Sequence, residues 1–366
     1  MAKELDELSA TAQQNKLLQE QCALLREQND LLRGVSSSND DEREIFVKNI
    51  DRDEMRSGFL VTRHRKKLWN VQINLLNEFA RICQKHDFPW FAIGGTLLGA
   101  ARHKGFIPWD FDMDVIMFRP DYNKFQQVAA QEVEAPYFLD VWYDYRLESE
   151  GASLNDDEGD YQFITRKQQA SYANHWLTQW PSIRLRDSRT TMIEALDRNF
   201  INQGIWLDIF PLDSLPPFDD KRQALNFEVG KVLLMATASP ALVRDAMNRN
   251  LKLFMDYGVL EKFLAKPYRE RGKTFDEFMN RKFAMTERMG DIRDYCITTG
   301  EKFYQSKDFR DVTYLPFEKI EVPAPIGYDS VLTDFYGDWR KPVMYPPHVA
   351  DFSADIPFKE YFQKRA

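Results

Sequence analysis

Asp110, Asp112 and Asp114 stand at alternate positions in the run Trp109-Asp-Phe-Asp-Met-Asp-Val115. On a β-strand, residues i, i+2 and i+4 face the same way, with about 6–7 Å between their Cα atoms. Like charges that close repel one another unless a cation neutralises them. Hard divalent ions take oxygen ligands, and magnesium typically uses a few carboxylates together with substrate phosphates. The spacing therefore predicts a site for Mg²⁺, or for Mn²⁺ in its place. The competing reading is an exposed strand end with solvated charges. Alternation of Phe111, Met113 and Val115 as buried partners favours the metal.

A further carboxylate belongs with these. Gly204-Ile-Trp-Leu-Asp-Ile-Phe-Pro-Leu-Asp213 is an apolar strand with a charge in its middle. Burying Asp208 unpaired is unfavourable, so either the same metal or a basic partner is expected, a structural ion pair being the plainer outcome. Asp213, placed after Pro211, reads as a turn or helix-cap residue.

Upstream, Gly94 and Gly95 follow a short apolar run. Without Cβ atoms their backbone can approach a phosphate, and amides at the following helix start can receive an anion; a simple turn is the alternative. Arg102, His103 and Lys104 lie between these glycines and the aspartates. They either neutralise a substrate phosphate or belong to a solvated loop. Arg184 and Arg186 share one strand face within Ser182–Thr190, where they reach the same phosphates or form a surface pair. The histidines show no metal-ligand spacing, and no Ser-centred elbow or Walker-type loop is present, so hydrolase and P-loop readings lack support.

Regular elements must hold these residues in place. Leu68, Val71, Leu75, Phe79 and Ile82 recur at helical spacing and predict a helix from Arg63 to about Lys85. Phe88–Ile93 reads as a strand, Gly94-Gly95 as a turn, Thr96–Ala101 as a helix start, and Val115–Phe118 as a second strand. Gln126–Glu134 looks helical; Ser182–Leu185 and Ile205–Phe210 are further strands. Glu148–Asp160 is an acidic loop, a solvated one or a moving lid. Past Pro216-Pro217 the pattern turns helical through Ala224–Ala238 and Leu251–Leu264. From Pro323 onward, Pro and aromatic residues predict an irregular tail.

Near the N-terminus, Leu17, Leu24 and Leu31 recur every seven residues, with Leu18, Leu25 and Leu32 beside them. Such recurrence predicts a coiled-coil helix over 1–35 and a homo-oligomer formed through it, with an independent amphipathic helix as the alternative. A polar linker, 36–60, then leads to a core at 61–215 and a mainly helical region at 216–366.

Composition narrows the function classes. A net charge of −8 argues against a general nucleic-acid binder. Three cysteines without close spacing exclude a cysteine-rich zinc module, give no sign of a disulfide framework, and point to a cytoplasmic setting. No apolar stretch is long enough to span a bilayer, so any membrane contact is peripheral, at the inner face.

The motifs together resemble the LicD family, which includes fukutin-type proteins. The resemblance rests on Gly94–Ala100, Arg102–Trp109, the aspartates Asp110–Asp114 and the Trp206–Asp213 segment, with a weaker echo at Phe335–Asp338. It is dense over Lys66–Leu215. At Phe111 the chain departs from members that carry an acidic residue there; this side chain should point away from the metal face. The diverged C-terminal region leaves acceptor recognition open.

The resemblance implies an α/β (α+β) nucleotidyltransferase-like fold, with a small mixed sheet flanked by helices. It also implies a phosphotransferase that moves a phospho-substituent from a CDP-linked donor to a glycan acceptor. In the bacterial branch this is phosphocholine from CDP-choline, added to a lipopolysaccharide or teichoic acid precursor; related members move ribitol phosphate. On this reading Asp110, Asp112, Asp114 and Asp208 hold the metal, with Asp112, Asp114 and Asp208 catalytic. Gly94, Gly95, Thr96, Arg102, Lys104 and Arg184 meet the donor. Asp208 either completes the metal set or accepts the hydroxyl proton. Two rivals are an inactive scaffold of a glycan-assembly complex and a nucleotidyltransferase that releases pyrophosphate.

Overall fold

A computed structural model of the protein describes residues 43–142, 182–193, 202–216, 220–238, 240–291, 303–344 and 351–363. The predicted coiled coil, the linker up to residue 42 and the acidic loop Glu148–Asp160 lie outside the described residues.

A short hairpin, β1 (Glu54–Arg56) and β2 (Phe59–Val61), leads into helix α1 (Arg63–His86). Thr62 caps α1 by accepting the Arg65 N–H, and Asp87 ends it in the left-handed conformation. The predicted apolar stripe is the buried one: Leu68, Leu75, Phe79 and Ile82 are all fully enclosed. Next come β3 (Phe91–Ala92), α2 (Gly94–His103), β4 (Asp114–Phe118), α3 (Arg119–Glu132), β5 (Tyr137–Val141), β6 (Ile183–Asp187), β7 (Thr191–Ile193) and β8 (Ile205–Leu215).

A helical stretch follows, with α4 (Lys221–Ala238), α5 (Pro240–Asn248), α6 (Tyr257–Leu264) and α7 (Tyr268–Lys282). The chain then returns through β9 (Arg288–Gly290), β10 (Tyr304–Gln305), the hairpin β11 (Val312–Phe317) and β12 (Ile320–Pro325), α8 (Tyr328–Tyr336), β13 (Asp351–Ser353) and α9 (Phe358–Gln363).

The central sheet is mixed and seven-stranded among the described residues. β8 is its spine. Along one edge it pairs in parallel with β4, which pairs antiparallel with β3. Along the other, its first half takes β6 and its last residues take β9, both antiparallel. Helix α1 packs against β8 and β6. This is the small mixed sheet flanked by helices expected of the nucleotidyltransferase-like class.

Buried side chains form two clusters. The first surrounds the sheet and α1, and it also takes in Phe309, Phe317, Val322, Leu332 and Trp339 from the returning C-terminal part. The second is built by α4–α7, with Val141, Trp142 and Leu215 as its link to the sheet. The irregular tail expected after Pro323 is therefore corrected: β12, α8, β13 and α9 are regular, and β13 pairs with β7. Between Leu251 and Asp256 the expected helix is absent, and α6 starts at Tyr257 behind its Asp256 cap.

Candidate active site

Of the alternating aspartates, only Asp114 lies on a strand, as the first residue of β4. Residues 110–113 precede it outside any strand, the Asp110 N–H donating to the Ile107 carbonyl and the Met113 carbonyl accepting the Asp208 N–H. The cause is competition for their carbonyls. The Asp110 carbonyl accepts from Arg65 Nη1 at 2.7 Å and from Trp69 Nε1 at 3.2 Å, and the Phe111 carbonyl accepts from Gln72 Nε2 at 2.8 Å. Arg65, Trp69 and Gln72 fall at i, i+4 and i+7, one face of α1. Helix side chains thus take acceptors that a neighbouring strand would otherwise use. Sequence reasoning missed all three, because it looked for groups that meet a ligand; polar Gln72 inside an apolar stripe was the available signal. Phe111 packs half-buried against the first core.

The glycine pair opens α2 rather than forming a separate turn. Gly94 has φ +56°, a conformation that favours glycine, and a Cβ there would lie 3.0 Å from Asp114 Oδ2. A Cβ on Gly95 would lie 2.5 Å from Asp110 Oδ2. The space freed by the glycines is therefore filled by the protein's own carboxylates, held against the electropositive start of a helix. The expected phosphate cradle therefore has the Asp110 and Asp114 carboxylates beside it. Thr96 is buried, and its hydroxyl accepts the Asp114 N–H at 2.8 Å, tying α2 to β4.

Gly95→Ala follows as a test. A methyl at that point displaces the Asp110 carboxylate, and misplacement on the ångström scale costs about a hundredfold in rate. The backbone tolerates alanine, which favours helix by roughly 0.5–1 kcal/mol over glycine. Turnover should therefore fall while the melting temperature holds or rises; parallel loss of both would contradict the packing described.

Asp208 lies opposite Asp114 across the parallel β4–β8 pair, and opposite Arg184 across β6–β8. Its Oδ1 accepts from Arg184 Nε at 2.7 Å, and its Oδ2 from Trp206 Nε1 at 2.7 Å. The basic partner foreseen as one alternative is thus present. Arg184 and Arg186 do share a face: both guanidiniums lie over the Trp206 ring, at 4.8 and 5.1 Å. Arg186 is bound to Asp140 at 2.7 Å.

Arg102 and Lys104 are not brought to the carboxylates. They close α2, whose ten residues put them roughly 12–15 Å from Gly94. Arg102 Nη1 donates to the Trp339 and Lys341 carbonyls, and the Lys104 carbonyl accepts the Glu318 N–H. Between them His103 is held down at a pKa of about 4, by burial and by the charges of Arg102 and Arg56. Asp213 is corrected too: it is a buried strand residue bound through both oxygens to Arg119, at 2.7 and 2.8 Å.

Electrostatics single out Asp112. Burial, then the charges of Asp114 and Asp110, and more weakly Asp208, push its carboxyl well above the usual range. Among the described residues no three His, Cys, Asp or Glu side chains form a ready coordination group. The oxygen-only set still suits magnesium, which binds through one or two carboxylates plus water and substrate phosphates rather than a protein cage. The pH dependence follows from the sign of the shift. A raised folded-state pKa means the fold disfavours ionised Asp112, so this residue's contribution to stability declines as pH rises above about 4, the unfolded value. A cation competes with the bound proton. The gain in melting temperature on adding MgCl₂ should therefore be larger at pH 8 than at pH 5; equal gains, or none, would remove the metal reading.

Comparison with known proteins finds relatives that share this segment. The model of the LicD/FKTN/FKRP nucleotidyltransferase domain matches residues 87–216. Lipopolysaccharide cholinephosphotransferase LicD of Haemophilus influenzae is 26% identical over 281 residues, covering 74% of this chain and 89% of the relative. Ribitol 5-phosphate transferase FKRP of Homo sapiens is 46% identical over 39 residues, 11% of this chain and 8% of that protein. No helix among the described residues is long and apolar enough to cross a membrane. The matched segment, which carries the glycine pair, the aspartates and the β8 strand, is thus similar to the LicD/FKTN/FKRP nucleotidyltransferase domain.

Proposed function

We propose that this chain transfers a substituted phosphate, phosphocholine from CDP-choline, to a hydroxyl of a cell-surface glycan or its precursor, releasing CMP in a magnesium-dependent reaction. One observation carries the reading. Asp114 and Asp208 face each other in register on adjacent parallel strands, while Asp110 and Asp114 rest on the Gly94-Gly95 backbone. The named relatives, a cholinephosphotransferase and a ribitol 5-phosphate transferase, both act on phosphate-containing groups, and the longer match favours choline.

Asp112 and Asp114, with Asp110 beside them, would hold the metal. When bound, the ion offsets the negative charge of the donor diphosphate and of the departing CMP. The acceptor hydroxyl oxygen bonds to the distal phosphorus, the phosphoanhydride P–O bond breaks, and CMP leaves with the electron pair. Asp208 stands beside Asp114, fixed by Arg184 and Trp206, with a lone pair remaining on each oxygen; it takes the hydroxyl proton.

The test is a panel of CDP-alcohols (choline, ribitol, glycerol, ethanolamine) with Mg²⁺, read as CMP release with and without candidate glycans. CDP-choline should be turned over fastest. Preference for CDP-ribitol would move the chain to the other donor class, and pyrophosphate in place of CMP would refute the transfer.

A further inference from the structure

A phosphate-transfer site needs a cation for the donor's diphosphate, and those put forward by the sequence are engaged elsewhere. Arg102 and Lys104 stand at the far end of α2, and Arg184 is bound to Asp208. Arg65 differs from all of these. It lies in the first turn of α1, where the capping Thr62 hydroxyl fixes its backbone. Its side chain is half-buried, with the guanidinium over the Phe59 ring at 5.4 Å. Nη1 donates to the Asp110 carbonyl. That bond occupies one of five guanidinium N–H donors. Among the described residues no other hydrogen bond or ion pair engages this side chain.

Its surroundings suit an anion. Burial works against the Arg65 charge, and the nearby Asp110 carboxylate only partly compensates. A partly desolvated guanidinium gains more from a phosphate than a fully hydrated one, and its planar fork can grip two oxygens at once.

We infer that Arg65 binds the diphosphate of the nucleotide-linked donor, offering Nε and Nη2 to phosphate oxygens while Nη1 stays on the Asp110 carbonyl. The inference rests on the transfer reading above and names a binding residue for it. It also makes one side chain responsible for two tasks, holding the aspartate segment and holding the donor. Arrival of the donor would then steady the backbone that carries Asp110.

The experiment is calorimetric titration of the full-length protein with inorganic pyrophosphate and with CDP, in the presence of Mg²⁺. Charge-assisted hydrogen bonds contribute about 1.5–3 kcal/mol, so Arg65→Gln should weaken both ligands about 10–100-fold. Arg65→Lys, which keeps the charge and loses the fork, should fall between that variant and the wild type. Lys67→Gln makes the same change of charge at an exposed position on the same helix and should bind as the wild type does. Wild-type pyrophosphate affinity in Arg65→Gln overturns the inference, as does an equal loss in Lys67→Gln. If Arg65→Gln fails to fold, wild-type affinity in Arg65→Lys overturns it instead. Pyrophosphate carries neither alcohol nor acceptor. Failure of the transfer reading, seen as no CMP from any CDP-alcohol, is therefore a separate result.

Discussion

Asp114→Asn should reduce CMP release from CDP-alcohols by about a thousandfold, at the upper end of what one electrostatic group contributes, while the melting temperature stays level or rises. The amide keeps the shape of the carboxylate above Gly94 and leaves the backbone bond to Thr96 in place. What it removes is one negative charge beside Asp112, whose carboxyl is pushed up by burial and then by Asp114 itself. With that repulsion relieved the empty fold has no reason to weaken, yet its capacity to attract a cation falls. Asp112→Asn should behave alike. The separation of the two readouts is the point: a structural aspartate would lose stability and activity together, and full activity in either variant would refute the assignment.

The second large effect is on stability. Arg119, Asp213 and Asp276 form a fully buried ion cluster in which Arg119 binds Asp213 twice and Asp276 once, at 3.0 Å. Asn123 adds a bond to the Asp276 carbonyl. Breaking a buried pair by removing one partner costs about 3–5 kcal/mol, because a charge is left without compensation. Asp213→Ala should therefore lower the melting temperature by roughly 6–20 °C, at about 2–4 °C per kcal/mol. Asp276 belongs to α7 and Asp213 to β8, so the cluster fastens the helical stretch onto the sheet. Asp213 lies five residues beyond Asp208, on the opposite face of the strand. Magnesium binding should accordingly survive in whatever fraction of Asp213→Ala stays folded. A change in melting temperature below about 1 °C would mean that water reaches this cluster.

These residues show where sequence reasoning reached and where it stopped. Clustered carboxylates were legible because their mutual repulsion depends on spacing along a chain. α1 was legible because an apolar stripe repeats at 3.6 residues. Asp110 and Asp112 read as strand residues because alternation looks the same in any extended backbone; only the donors from Arg65, Trp69 and Gln72 show that residues 110 and 111 give their carbonyls to a helix instead. Asp213 was read from the proline before it, whereas its partner lies 94 residues away in the chain. Arg102 and Lys104 were drawn toward the aspartates by short sequence distance, which a helix of ten residues converts into separation. Contacts set by local rules could be read; those set by tertiary partners could not.

The return of the C-terminal part to the first core has a consequence for synthesis on the ribosome. Phe91 packs edge-on against Phe309, and Phe106 against Phe317, both from the returning part. Glu318 at the β11–β12 turn binds Arg56 and the Lys48 N–H, next to the start of the described chain. A nascent polypeptide halted after residue 216 would contain every aspartate of the site and still expose the apolar flanks of β3 and α2. Covering of those flanks thus waits on segments synthesised after every aspartate of the site.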